Sequence, residues 1–164
     1  ILDRSNFNTE EDYILFETLY LTGMRIRELS NLRTIDVRNN KNNSIKIIGK
    51  GNKERYVYLP GYAINNLLSI SVGNKIGTYS YDTLRQKMSH YMKDFKKRKL
   101  TNTTKASSHG LRHTYATVLQ KNGANILTIK ELLGHASVAT TQGYTHTDMD
   151  FLKQQHKLLK HGCT

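Results

Sequence analysis

Two arginines, a lysine, two histidines and a late tyrosine stand in a fixed order along this chain. Arg25 lies in Thr22-Gly23-Met24-Arg25 and Lys50 in Gly49-Lys50-Gly51. His109 and Arg112 share His109-Gly110-Leu111-Arg112-His113, His135 ends Leu133-Gly134-His135, and Tyr144 follows nine residues later. As a set, these side chains could hold a phosphodiester and attack it without a metal. Cutting a strand without hydrolysis needs a nucleophile other than water, cations around the phosphorane and a proton donor for the departing oxygen. The planar fork of arginine makes parallel bonds to phosphate oxygens and stays charged. Arg25 and Arg112 come from different helices, so they could clamp the two non-bridging oxygens from two sides. Lys50, with a reference pKa of about 10.4, is protonated at neutral pH and could donate to a leaving alkoxide. A phenol of pKa about 10 is a poor nucleophile at pH 7. Tyr144 would need the nearby cations to lower that value and a neutral His109 to accept its proton.

Taken singly, each residue also has an ordinary reading. One arginine is most often a surface ion pair, and Arg27 and Arg33 suit that role better than Arg25. Arg25 follows a Gly-Met turn where a helix begins, near backbone N–H groups and a positive dipole that favour an anion. Lys50 alone reads as a turn lysine touching phosphate, and Tyr144 is one of ten tyrosines. Gly49-Lys50-Gly51 lacks the Gly-Lys-Ser/Thr ending of a nucleotide loop. His109 and His113 have the i, i+4 spacing of metal ligands. No glutamate lies between them and Arg112 does, so no metal site is expected, and His113 is assigned a packing role in the fold.

The elements that must carry these residues fit one domain. At 164 residues the chain supports a single well-buried core. Its 25 Lys and Arg against 13 Asp and Glu give a net charge of +12, which points to a polyanion, by default nucleic acid. Cys163 is the single cysteine, which excludes a disulfide framework or a Cys-based zinc site and suits a cytoplasmic location. No apolar run reaches membrane-spanning length, so no membrane partner is expected.

Asn8 and Thr9 ahead of Glu10, Glu11 and Asp12 mark a helix start, and Gly23 ends that helix. A second helix is predicted over 25–33, burying Ile26, Leu29 and either Leu32 or the stem of Arg33, with Arg25 and Glu28 three apart on one face. Ser44–Ile48 and Arg55–Leu59 flank a glycine-bearing tip and read as a β-hairpin closed by Pro60. A short helix near 63–69, a loop over 73–77 and a basic helix over 81–97 follow. Ser107 or Ser108 caps the next helix, which should bury Leu111, Tyr115 and Val118 and carry His109 and Arg112 on a neighbouring stripe. Ile126, Ile129 and Leu133 describe another helix, stopped by Gly134. Ser137 caps a short turn leading to Tyr144, and an amphipathic helix over about 148–160 carries Met149, Leu152 and Leu159. The expected fold class is α+β, mainly α-helical, with one small antiparallel sheet.

With these segments in place, the chain resembles the catalytic domain of a tyrosine recombinase, of the phage integrase and Xer type. Thr22-Gly23-Met24-Arg25-Ile26-Arg27-Glu28-Leu29 is similar to the first arginine box, and Ile48-Gly49-Lys50-Gly51-Asn52-Lys53-Glu54-Arg55 to the hairpin lysine segment. Ser108 to Thr117 resembles the His-x-x-Arg box, and Leu132 to Tyr144 the terminal box. The likeness runs from about Asn8 to His156.

The resemblance implies that Arg25 and Arg112 bind the scissile phosphate, Lys50 is the general acid and His109 assists proton transfer. It implies that His135 bonds a non-bridging oxygen, Tyr144 forms a 3′-phosphotyrosine and Glu28 is a supporting acid. The implied activity is site-specific DNA recombination by metal-free transesterification, for integration or excision of a mobile element or for Xer-like resolution. No cofactor is expected. The implied partners are double-stranded DNA recombination sites and further copies of the chain, as a tetramer on DNA. The C-terminal helix, about 148–161, would dock in trans, although packing of Met149, Leu152 and Leu159 on their own domain fits the sequence as well. Residues 1–164 are expected to be one catalytic domain from a longer protein whose N-terminal DNA-clamping domain lies outside this chain. A type IB topoisomerase and a DNA-binding module without catalysis are the alternatives.

Overall fold

The computed structural model describes residues 2–52, 54–101 and 107–134. At its centre lies α1, Glu10–Thr22, buried from Asp12 to Thr22. Thr9 caps it by accepting from the Asp12 amide, three acids occupy its first turn, and Gly23 ends it in a left-handed conformation. A helix apolar on one stripe would leave a wet face, whereas α1 is covered all round and so forms the core itself. Burial on all sides forces its polar groups into pairs. The Asp12 carboxylate meets the Lys87 ammonium at 3.1 Å and accepts from the Tyr91 hydroxyl at 2.7 Å. Glu17 accepts from Tyr13 at 2.8 Å.

The helix expected over 25–33 ends at Ser30, and a further helix begins beyond that range, at Thr34. Helix α2 runs Ile26–Ser30 and α3 Thr34–Arg38. The break falls where Asp36 offers a better partner than helix continuation: its carboxylate accepts from the Arg33 amide at 3.1 Å and caps α3. Leu32 is buried between them, as expected.

Strands β1 (Ser44–Ile48) and β2 (Glu54–Tyr58) pair antiparallel, from Ser44 opposite Tyr58 to Ile48 opposite Glu54. The hairpin is the one the sequence predicts. Its tip is a 3-10 turn, Lys50–Asn52. Ile45, Ile47, Arg55 and Val57 turn inward, so one arginine shares a buried face with three aliphatic residues. Helix α4 (Gly61–Ser69) follows Pro60. The segment read as a loop over 73–77 instead contributes to a second two-stranded sheet, β3 (Ser71–Val72) with β4 (Lys75–Ile76). Two residues per strand is below what periodicity can register. Thr34 anchors it by donating to the Gly73 and Lys75 carbonyls.

Helix α5, Tyr81–Lys97, is capped by Ser80 and buries Leu84, Met88, Tyr91, Met92 and Phe95, a helical stripe against α1 and α6. Phe7, Phe16, Tyr91 and Phe95 stack there at centroid distances near 5 to 6 Å. Helix α6, Ser108–Lys121, has Ser107 as N-cap. Its buried face is Leu111, Tyr115 and Leu119; Val118, expected in the core, is only half-buried. Helix α7, Ile126–Leu132, buries Ile129 and Leu132 and leaves Ile126 exposed. Among the described residues no helix is long and apolar enough to cross a membrane. The fold is α+β, mainly helical, as expected from the sequence, and the described residues form two small antiparallel sheets in place of one.

Candidate active site

A cavity of about 370 Å³ opens where α1 ends, α2 begins, α6 starts and the hairpin tip approaches. Arg25, Arg27, Glu28, Ile48, Gly49, Tyr81, Arg85, His109 and Arg112 contribute to its lining. Four of the residues singled out in the sequence therefore meet in one place: Arg25, Glu28, His109 and Arg112. The backbone of Lys50 follows Gly49 in the hairpin tip. His135 and Tyr144 lie outside the described residues.

Gly23 makes the convergence possible. Its φ of 61° is left-handed, and a β-carbon there would stand 2.6 Å from Tyr115 and 3.0 Å from Leu133. This close approach brings α6 and the end of α7 against the α1–α2 turn. Arg112 uses it, donating from Nη1 to the Gly23 carbonyl at 2.8 Å and from Nη2 to the Leu133 carbonyl. Its side chain is almost wholly buried. Burial first, then the neighbouring charges of Arg25 and Arg55, push its guanidinium down to about 10. It remains a cation at neutral pH.

Arg25 is the N-cap of α2, and its amide donates to Glu28 Oε2 at 2.7 Å. That amide is consequently not offered to the cavity, contrary to the helix-start argument for anion binding. Binding capacity resides instead in the Arg25 guanidinium, which is 35% exposed and touches Glu28 Oε1 through Nη1 at 2.9 Å. Glu28 is buried, which disfavours its charge. The hydrogen bonds and charge of Arg55, followed by the contacts from Arg25, outweigh that penalty and hold the carboxyl below the ordinary glutamate range.

Arg55 is the residue that sequence reasoning missed. It donates from Nη1 and Nη2 to both Glu28 oxygens, at 2.7 and 2.8 Å, and from Nε to the Leu132 carbonyl at 3.0 Å. The signal was strand alternation. Arg55 shares the inward face with Val57, and an arginine facing a core requires a buried partner.

His109, in the first turn of α6, is exposed toward the cavity. His113 is exposed as well, which corrects the packing role assigned to it: one helical turn beyond His109, it follows the solvent side of α6. Arg33 forms the surface ion pair expected of it, with Nε and Nη2 at 2.9 and 2.7 Å from Asp36. Arg27 makes none among the described residues; its guanidinium lies 4.6 Å from the Tyr81 ring centroid, and the residue lines the cavity. Among the described residues, three arginines besides Arg112 thus border the space, against one carboxylate already saturated by arginine. The arrangement is built for an anion.

The family model described as the phage integrase family matches residues 1–150. The chain is 39% identical over 169 residues to tyrosine recombinase XerC of Listeria monocytogenes serovar 1/2a, a match covering 93% of this chain and 54% of the relative. It is 35% identical over 159 residues to tyrosine recombinase XerD of Yersinia pestis, covering 89% and 53%. It thus spans about half the length of the curated relatives it matches. An integrase from mycobacterium phage Brujita shares the fold with a TM-score of 0.71 at 16% identity, over 93% of this chain and 53% of that one. The XerH site-specific recombinase, in a pre-cleavage complex with its difH substrate, gives 0.61 at 26% identity over 88% and 45%. With a family match across residues 1–150 and relatives more than a third identical over most of its length, this chain belongs to the phage integrase family.

Proposed function

We propose that the chain is the catalytic part of a site-specific DNA recombinase that breaks and rejoins strands by metal-free transesterification. The observation that carries this reading is the meeting of Arg25, at the start of α2, with His109 and Arg112 of α6 on one cavity beside the hairpin tip. In this reading the two guanidinium groups hold the non-bridging oxygens of the scissile phosphate and stabilise the pentacovalent state. Tyr144 attacks phosphorus, forming a 3′-phosphotyrosine as the P–O5′ bond breaks, and Lys50 protonates the departing 5′ oxygen to give a 5′-hydroxyl. His109 assists the proton transfer and His135 bonds a non-bridging oxygen. Ester is exchanged for ester, so the freed hydroxyl of a second strand can reverse the step.

Double-stranded DNA recombination sites are the proposed substrate, in keeping with the net charge of +12. The relatives' greater length supports a DNA-clamping domain working beside this one in a longer protein, and assembly as a tetramer through the C-terminal helix completes the proposal. The test is a suicide duplex carrying the native site. The unaltered chain should give a denaturation-stable protein–DNA adduct, and Tyr144→Phe should abolish it while DNA binding stays nearly intact. An adduct that persists in Tyr144→Phe makes another residue the nucleophile. Relaxation of any plasmid without a preferred site would favour a topoisomerase instead.

A further inference from the structure

We propose that Arg55 is a positioning residue for phosphate capture: it occupies both oxygens of Glu28 and thereby leaves the Arg25 guanidinium directed at the cavity. The inference rests on the recombinase reading for its consequence, but its geometry stands on the fold alone.

A carboxylate offers about four lone-pair sites. At Glu28 all four have donors. Oε1 takes Arg25 Nη1 at 2.9 Å and Arg55 Nη1 at 2.7 Å; Oε2 takes the Arg25 amide at 2.7 Å and Arg55 Nη2 at 2.8 Å. The parallel fork from Arg55 is the stronger arrangement, because both bonds are charge-assisted and coplanar. Arg25 gives Glu28 only one guanidinium nitrogen and is a third exposed, whereas Arg55 is 94% buried, from a relative exposure of 6%, and does not line the cavity.

The division of labour follows from charge. A buried carboxylate with no fork of its own would draw Arg25 into a bidentate pair, and that pair would compete with any phosphate for the same nitrogens. Arg55 removes the competition from behind. It also ties the unit together: Nε holds the Leu132 carbonyl, and Gly134, at φ 62°, lets the Arg55 guanidinium sit 3.3 Å from where a β-carbon would be. Glu28 in α2, β2 and the end of α7 therefore form one rigid wall behind the phosphate position. Arg55 touches no reacting atom in this scheme; it acts through Glu28 and Arg25.

The experiment has two arms, run on the full chain. In the first, inorganic phosphate is titrated against thermal unfolding at constant ionic strength. Phosphate should raise the melting temperature of the unaltered chain. Arg25→Ala and Arg55→Met should each lose most of that rise. In the second, single-turnover adduct formation is measured at saturating suicide duplex. Arg55→Met should slow it about tenfold or more, with apparent DNA affinity nearly unchanged. Since Arg55 acts through Glu28, the double variant Glu28→Gln with Arg55→Met should be no slower than Arg55→Met alone, the competing charge having been removed. Arg55→Lys serves if Arg55→Met does not melt cooperatively. It keeps the charge, yet a single ammonium cannot fill both oxygens in parallel, so it too should lose the phosphate effect.

Arg55→Met or Arg55→Lys with the full phosphate-dependent rise would overturn the proposal, as would losses that multiply in the double variant. An unaltered chain that forms no adduct on its native site sinks the recombinase reading only, since the phosphate arm still decides the role of Arg55.

Discussion

At the scale of single residues, the chemistry depends on where each arginine spends its hydrogen bonds. Arg112 is anchored by two main-chain carbonyls, Gly23 and Leu133, and reaches the cavity from a buried position. Its geometry needs a planar fork with several donors at fixed angles, which lysine lacks. Arg112→Lys should therefore slow adduct formation nearly as much as Arg112→Ala, by about 10²–10³ in single-turnover rate. A lysine variant within a few-fold of the unaltered chain would show that charge alone suffices. Arg25→Ala should cost a comparable factor, since its guanidinium is the second of the two proposed to hold the phosphate.

At the scale of elements, the site is a meeting of ends: the last residue of α1, the first turns of α2 and α6, the final turn of α7 and a hairpin tip. Such a junction depends on backbone that can pass closely. Gly23→Ala combines an unfavourable left-handed φ with a β-carbon 2.6 Å from the Tyr115 ring. We expect it to destabilise the fold by about 2–4 kcal/mol, from strain and overpacking together, measured as a shift in urea midpoint without a change in slope. Thr9→Ala is the contrasting case. It removes the α1 cap bond to the Asp12 amide, costs about 1 kcal/mol, and should leave adduct rate per folded molecule unaltered.

At the scale of the whole molecule, buried charge sets the response to pH. Glu28 and Asp12 both lie below their ordinary values in the folded state, burial being outweighed by Arg55 and Arg25 at Glu28 and by Tyr91 and Lys87 at Asp12. A depressed carboxyl contributes stability that is present above the unfolded pKa, near 4, and is lost as pH falls through the folded value. Stability should thus fall below about pH 4, and Glu28→Gln should flatten that fall in acid denaturation followed by circular dichroism. The opposite sign holds for Tyr13. Burial, followed by the bond to Glu17, raises its phenol to about 12. Its contribution is complete below about pH 10 and lost on rising toward 12. The charge of the chain as a whole acts on its partner: DNA affinity should drop steeply and log-linearly with salt.

Local pattern made much of this legible from residues alone. Apolar spacing placed α1, α6 and the first hairpin, because a helix or strand repeats its core-facing positions within a few residues. Motif order marked Arg25, Glu28, His109 and Arg112, which line one cavity. The split between α2 and α3, the second sheet and the exposure of His113 escaped that pattern: a cap, a two-residue strand and a solvent-facing histidine carry no period. Arg55 escaped for a deeper reason. Its partners, Glu28 and the Leu132 carbonyl, stand 27 and 77 residues away in sequence. A buried charge is tolerable only beside its counter-charge, and which counter-charge that is depends on how distant segments pack. Sequence determined which residues could bind an anion; tertiary structure decided which arginine faces the cavity and which one stands behind it.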